Sequence, residues 1–64
     1  MAIYMSARFE MYPDASGKFR WRLKAPNNEI IAVSESYESK AGCENGIQSV
    51  KTNAPSAEIV EVSQ

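Results

Sequence analysis

Apolar and polar residues alternate along the first half of this chain and then change to a spacing of three and four. Between Arg8 and Tyr12, Phe9 and Met11 alternate with Arg8, Glu10 and Tyr12, the period of two that marks a half-buried strand. Pro13-Asp14-Ala15-Ser16-Gly17 follows as a turn, with proline and glycine where a turn favours them. Phe19 to Lys24 repeats the alternation, Phe19, Trp21 and Leu23 on one side and Arg20, Arg22 and Lys24 on the other. Facing residues of a hairpin share a side of the sheet, so Phe9 lies opposite Trp21 or Leu23. Either register sets Glu10 across from Arg20 or Arg22.

Pro26-Asn27-Asn28-Glu29 reads as a second turn. Asparagine tolerates positive φ, so a two-residue type I′ hairpin is the natural reading. It sets Leu23 opposite Ala32 and Trp21 opposite Ser34, with Ile30 on their side and Ile31 and Val33 among the cations. A bulge or longer loop would reverse that assignment. Ser39 is a good helix N-cap, preceded by Glu35 and Glu38, whose charge suits the positive end of a helix. Cys43, Ile47, Val50 and Ala54 then form one apolar stripe, and Asn53 and Pro55 end the helix. Gly46 inside it either breaks the helix or lets it lie close to a bulky sheet residue such as Trp21. Glu58-Ile59-Val60-Glu61-Val62 reads as a short final strand, paired in its own chain or in a second copy.

Size sharpens this picture. A chain of 64 residues hides only about 60% of its unfolded surface, and chains this short usually need a staple. Cys43 is the only cysteine and histidine is absent, which rules out an intrachain disulfide and leaves little for a structural zinc site. A second copy of the chain is the remaining staple. The apolar fraction of 44% with 23% charged residues fits one globular domain over residues 1–64, with its core over about 7–63. No apolar run approaches the ~20 residues that span a bilayer. The first six residues lack the pattern of a secretory signal, and a lone thiol suits a reducing cytoplasm.

Charge is sorted along the chain. Arg8, Lys18, Arg20, Arg22 and Lys24 face only Glu10 and Asp14, whereas from Ala25 onward Lys40 and Lys51 face Glu29, Glu35, Glu38, Glu44, Glu58 and Glu61. The basic front half can pair with the acidic rear half or attract an anionic partner. Arg8, Tyr12, Arg20, Arg22 and Lys24 share one side of the hairpin and form the candidate ligand or anion face. Weak nucleic-acid binding there is the alternative function; against it, the overall charge is -1 and Phe19 and Trp21 alternate away from the cations. Catalysis is not expected. There is no histidine, Cys43 lies in the apolar stripe, and Gly42 and Gly46 match no phosphate-binding loop.

Phe9-Glu10-Met11-Tyr12, Phe19-Arg20-Trp21-Arg22-Leu23-Lys24-Ala25, Glu29-Ile30-Ile31-Ala32-Val33-Ser34-Glu35, Tyr37, Ser39-Lys40-Ala41, Glu44 through Lys51 and Asn53-Ala54-Pro55 together resemble the YegP-like family. Asn28 stands where that family usually has glycine, and Trp21 where phenylalanine is common. The resemblance implies an α+β fold, a β-β-β-α-β unit with an antiparallel meander and one packed helix. It also implies a homodimer exchanging the strand Glu58, Ile59, Val60, Glu61 and Val62. It implies no established activity and no cofactor, and leaves an accessory binding or interaction protein as the expected role.

Overall fold

Two hairpin turns built to one plan order the sheet in the computed structural model, which describes residues 6–63. In the first, the Gly17 amide donates to the Asp14 carbonyl (3.0 Å) and the Asp14 amide to the Lys18 carbonyl (2.7 Å). In the second, the Asn28 amide donates to Ala25 and the Ala25 amide to Glu29, both at 2.8 Å. Gly17 (φ 83) and Asn28 (φ 75) take the left-handed position. Each is a three-residue loop, a turn closed by a left-handed residue and a bulge. The two-residue turn expected at Asn27-Asn28 is therefore corrected: Pro26 sits inside the loop, and only Asn28 needs positive φ.

The turns join β1 (Arg8–Pro13), β2 (Phe19–Lys24) and β3 (Ile30–Val33) into an antiparallel sheet of order β1-β2-β3. Phe9 pairs with Leu23, Glu10 with Arg22, Met11 with Trp21 and Tyr12 with Arg20. Leu23 lies opposite Ala32, as the sequence pattern suggested, but the register slips by one residue before Lys24 meets Ile30. Ile31 is the extra residue, and Ile30 moves to the cationic side rather than the Trp21 side. Beyond β3, Tyr37 pairs with Phe19 through both backbone groups. The Ser34 hydroxyl takes up the Trp21 amide (2.9 Å), filling the ladder position that the irregular Ser34–Ser36 stretch would leave open.

The helix α1 (Lys40–Asn53) starts as Ser39 predicts, its hydroxyl accepting from the Gly42 amide at 3.0 Å. It runs through Gly46 without a break. An added Cβ there would lie 2.7 Å from Tyr37 Cζ and closer still to the phenol oxygen. Glycine thus admits Tyr37 rather than Trp21. Cys43 is fully buried and Ile47 and Val50 half-buried, but Ala54 is exposed in a following 3-10 turn over Ala54–Ser56.

Only Trp21 and Cys43 are buried hydrophobic residues among those described. Phe9 meets Trp21 edge-to-face, with ring centroids 5.3 Å apart. Glu58, Ile59, Val60, Glu61 and Val62, expected as a fourth strand, pair with no strand among the described residues. The 3-10 turn releases Ala57 extended (ψ 134), and the segment reaches neither sheet edge. Ile59 is 102% exposed, Val60 70% and Val62 71%. The radius of gyration of 13.6 Å exceeds the roughly 11 Å expected of a compact chain this long, in keeping with a projecting tail. Residues 1–5, read above for targeting signals, lie outside the described residues.

Candidate ligand face and dimer strand

Because β1 and β2 pair in the register above, every second residue of each falls on the side away from the helix. Arg8, Glu10, Tyr12, Arg20, Arg22 and Lys24 meet there. Glu10 is its hub. Its Oε1 accepts from Arg22 Nε (2.7 Å) and lies 3.5 Å from Lys24 Nζ, while its Oε2 accepts from Arg8 Nε (2.9 Å). Hydrogen bonds from Arg22 and Arg8 hold the Glu10 pKa at about 2, far below its ordinary 4.5. Arg8 also donates to the Asn28 side chain, tying the face to the second turn. The Arg22 guanidinium lies over the Tyr12 ring, 4.8 Å from its centroid, so that ring face is already covered.

Asp14 organises the first turn. Its Oδ1 accepts from the Ser16 hydroxyl and amide and from the Lys18 amide, and its Oδ2 from Arg20 Nε at 3.1 Å. These bonds, led by the Ser16 hydroxyl, push its pKa well below the usual carboxylate range. Both carboxylates on this face therefore stay charged and fix the arginines through Nε. Four cations still share two acids. The structure brings all five candidate residues, Arg8, Tyr12, Arg20, Arg22 and Lys24, onto one side of the sheet. What the alternation alone missed is Ile30 joining Val33 beside them, because the slipped register left no mark in the pattern of β3.

On the opposite side, an open cleft of about 510 Å³ runs between β1 and α1. Phe9, Met11, Leu23 and Ile47 give it an apolar floor, and Arg8 and Lys51 stand among its polar wall residues. Lys51, Glu58 and Glu61 make no ion pair among the described residues. The Trp21 indole N–H is buried without an acceptor there, a cost of about 1–3 kcal/mol. No group of three or more Cys, Asp and Glu among the described residues suits a metal. No helix among them is long and apolar enough to cross a membrane.

Comparison with known proteins agrees with this architecture. The solution structure of a protein from Haloferax volcanii superposes with a TM-score of 0.82 at 46% identity, covering 89% of this chain and 97% of the other. A UPF0339 protein of Treponema denticola is 64% identical over 58 residues, 91% of this chain and 100% of the relative. One upstream of the ptx operon in Stutzerimonas stutzeri is 57% identical over 51 residues, 80% of this chain but only 46% of that longer protein. Residues 14–61 match the domain of unknown function DUF1508. With its sheet, its helix and most of its sequence shared with these proteins, the chain belongs to the UPF0339 family, the YegP-like proteins built on the DUF1508 domain.

Proposed function

We propose that this chain acts as a non-catalytic binding module and works as a homodimer in which each copy lends residues 58–62 to the other. The observation that carries the reading is the mismatch between two exposed features of one chain. Among the described residues, Ile59, Val60 and Val62 project without cover, and the β1 cleft offers an apolar floor beside a strand edge that none of them pairs. As a strand the segment turns Val60 and Val62 to one side, and burying those two contributes roughly 3–6 kcal/mol per copy before ordering costs. Glu58 and Glu61 would enter beside Arg8 and Lys51. The Stutzerimonas relative, more than twice as long as the matched stretch, has room for two such units in one chain.

Non-catalytic binding is supported by the condition of the groups chemistry would need. Cys43 is buried and its thiol pKa is raised by that burial, opposite to an activated nucleophile. Glu10 and Asp14 are tied to cations, and Glu38 pairs with Lys18 at 3.0 Å. A buried, unpaired thiol also fits a cytoplasmic location. Light scattering should report twice the 7.1 kDa chain mass. Truncation after Ser56 should abolish both the dimer and cooperative unfolding, and a stably folded truncated monomer would refute strand exchange.

The cation surplus on the sheet face keeps weak nucleic-acid or anion binding as a second reading. Titration with mixed-sequence oligonucleotides at low salt tests it. No binding there removes it, whereas binding that weakens steeply with salt supports it.

A further inference from the structure

The outer edge of β3 is the least protected part of the sheet. Sheet edges are normally guarded by charge, proline or a covering element, yet Ile30-Ile31-Ala32-Val33 carries neither charge nor proline. Ile30, Ile31 and Val33 are 54–63% exposed, and no strand among the described residues pairs beyond them. The Ser34 amide donates to the Trp21 carbonyl. By the alternation of antiparallel ladders, Val33 then turns its own N–H and C=O outward. The Ala25–Glu29 bond does the same for Ile30. Two aliphatic side chains and their free backbone groups therefore lie together on one edge.

What would cover that edge is indicated by the strand behind it. Arg22 lies opposite Val33 and Lys24 opposite Ile30. Arg22 donates to Glu10 only through Nε, leaving its terminal nitrogens without an acceptor among the described residues. An added strand would run about 9.6 Å from β2, two strand spacings, a gap that an arginine and a glutamate side chain span together. We propose that β3 accepts an extended segment of a partner protein, alternating acidic and aliphatic residues, as an added strand. Its backbone bonds to Ile30 and Val33, its carboxylates fall on their side of the sheet and pair with Arg22 and Lys24, and its aliphatic side chains fall on the opposite side beside Ala32. A nucleic acid suits this edge less well, since Arg22 already covers the Tyr12 ring.

This deepens the binding-module reading and does not depend on the exchanged tail, which uses the other edge. The probe is a short fluorescein-labelled peptide of alternating glutamate and valine, titrated against the full chain by anisotropy beside its lysine–valine counterpart. The acidic peptide should bind at least about tenfold more tightly at low salt and weaken as salt rises. Val33→Pro removes an outward amide and spares the inner ladder; it should weaken binding about tenfold. Val33→Glu, which guards the edge with a charge that repels an acidic strand and leaves the backbone unaltered, serves should proline disturb the fold. Arg22→Gln should lower affinity by roughly threefold and flatten the salt dependence. Equal binding of both peptides, undiminished binding by a folded Val33 variant, or preference for a mixed-sequence oligonucleotide would overturn the proposal. Light scattering on the same samples keeps the two ideas apart. A dimer that ignores the acidic peptide removes strand addition alone, and a monomer that binds it removes tail exchange alone.

Discussion

Replacing Gly46 by alanine should destabilise this protein even though alanine is the better helix former. At an open helical position the change gains about 1 kcal/mol. Here the new Cβ would stand 2.7 Å from Tyr37 Cζ and nearer still to its oxygen, so the tyrosine ring must move. The ring has little freedom to do so, because the Tyr37 amide and carbonyl are both bonded to Phe19, at 2.8 and 2.9 Å. Overpacking of this kind costs about 1–3 kcal/mol, and at the upper end the net loss is about 1–2 kcal/mol. For a domain of this size that lowers the melting temperature by roughly 4–16 °C.

Two controls separate this from a general intolerance of the helix. Gly42→Ala places its Cβ 3.3 Å from the Ser39 hydroxyl and 3.8 Å from Tyr37, a position that should be neutral or gain a few tenths of a kcal/mol. Tyr37→Phe deletes the atom nearest to the new methyl, so Gly46→Ala should cost measurably less in that background. Urea denaturation of the four proteins in the cycle gives the coupling directly. A rise in the Gly46→Ala midpoint, or equal costs in both backgrounds, would show that the helix does not rest on Tyr37 as described.

Trp21→Ala should cost about 3–5 kcal/mol in chemical denaturation, since the ring is buried against Phe9; a loss below 1 kcal/mol would place it outside the core. Glu10 has its folded pKa depressed from 4.5 to about 2, so its contribution is complete above pH 4.5 and lost as pH falls toward 2. The urea midpoint should drop across that window, Glu10→Gln should shallow the drop, and an unchanged profile in the variant would refute the assignment. Asn28→Ala should cost about 1–2 kcal/mol because φ is 75, a region that penalises a Cβ, and Asn28→Gly should recover most of it. Equal stability of the alanine and glycine variants would contradict the left-handed turn.

The hairpin of β1 and β2 was legible because each strand has one apolar and one charged side, and a one-residue slip would reverse both. That constraint placed the cations on one side and left Glu10 opposite Arg20 or Arg22, and the register of the structure selects Arg22. β3 escaped it. Ile30, Ile31, Ala32 and Val33 are all apolar, so no alternation penalises a slip, and the turn decides the register instead. The turn was misread because Asn27-Asn28 suits a two-residue loop, whereas Ala25 and Glu29 close a longer one. Gly46 was seen to need a close neighbour, but its partner is Tyr37. That residue lies beyond the last regular strand, where periodicity carries no information.

The end of the chain has the pattern of a strand and yet forms none among the described residues. Residues 58–62 have strand composition, but a strand exists only through the ladder bonds and the face it covers. In the single chain neither is available to them. The helix ends at Asn53, and past the 3-10 turn of Ala54–Ser56 the segment stays exposed while the β1 cleft stays open. A fold with only two buried hydrophobic residues among those described hides little apolar surface against the ordering entropy of its chain. The two shortfalls have complementary shapes. A tail whose aliphatic side chains and two acids find no partner among the described residues lacks a floor, and a floor lined by aliphatic and aromatic groups lacks a tail. Two copies related by a twofold axis would satisfy both at once. Each would keep its β3 edge, with Arg22 and Lys24 behind it, outside the shared interface, where a ligand can reach them.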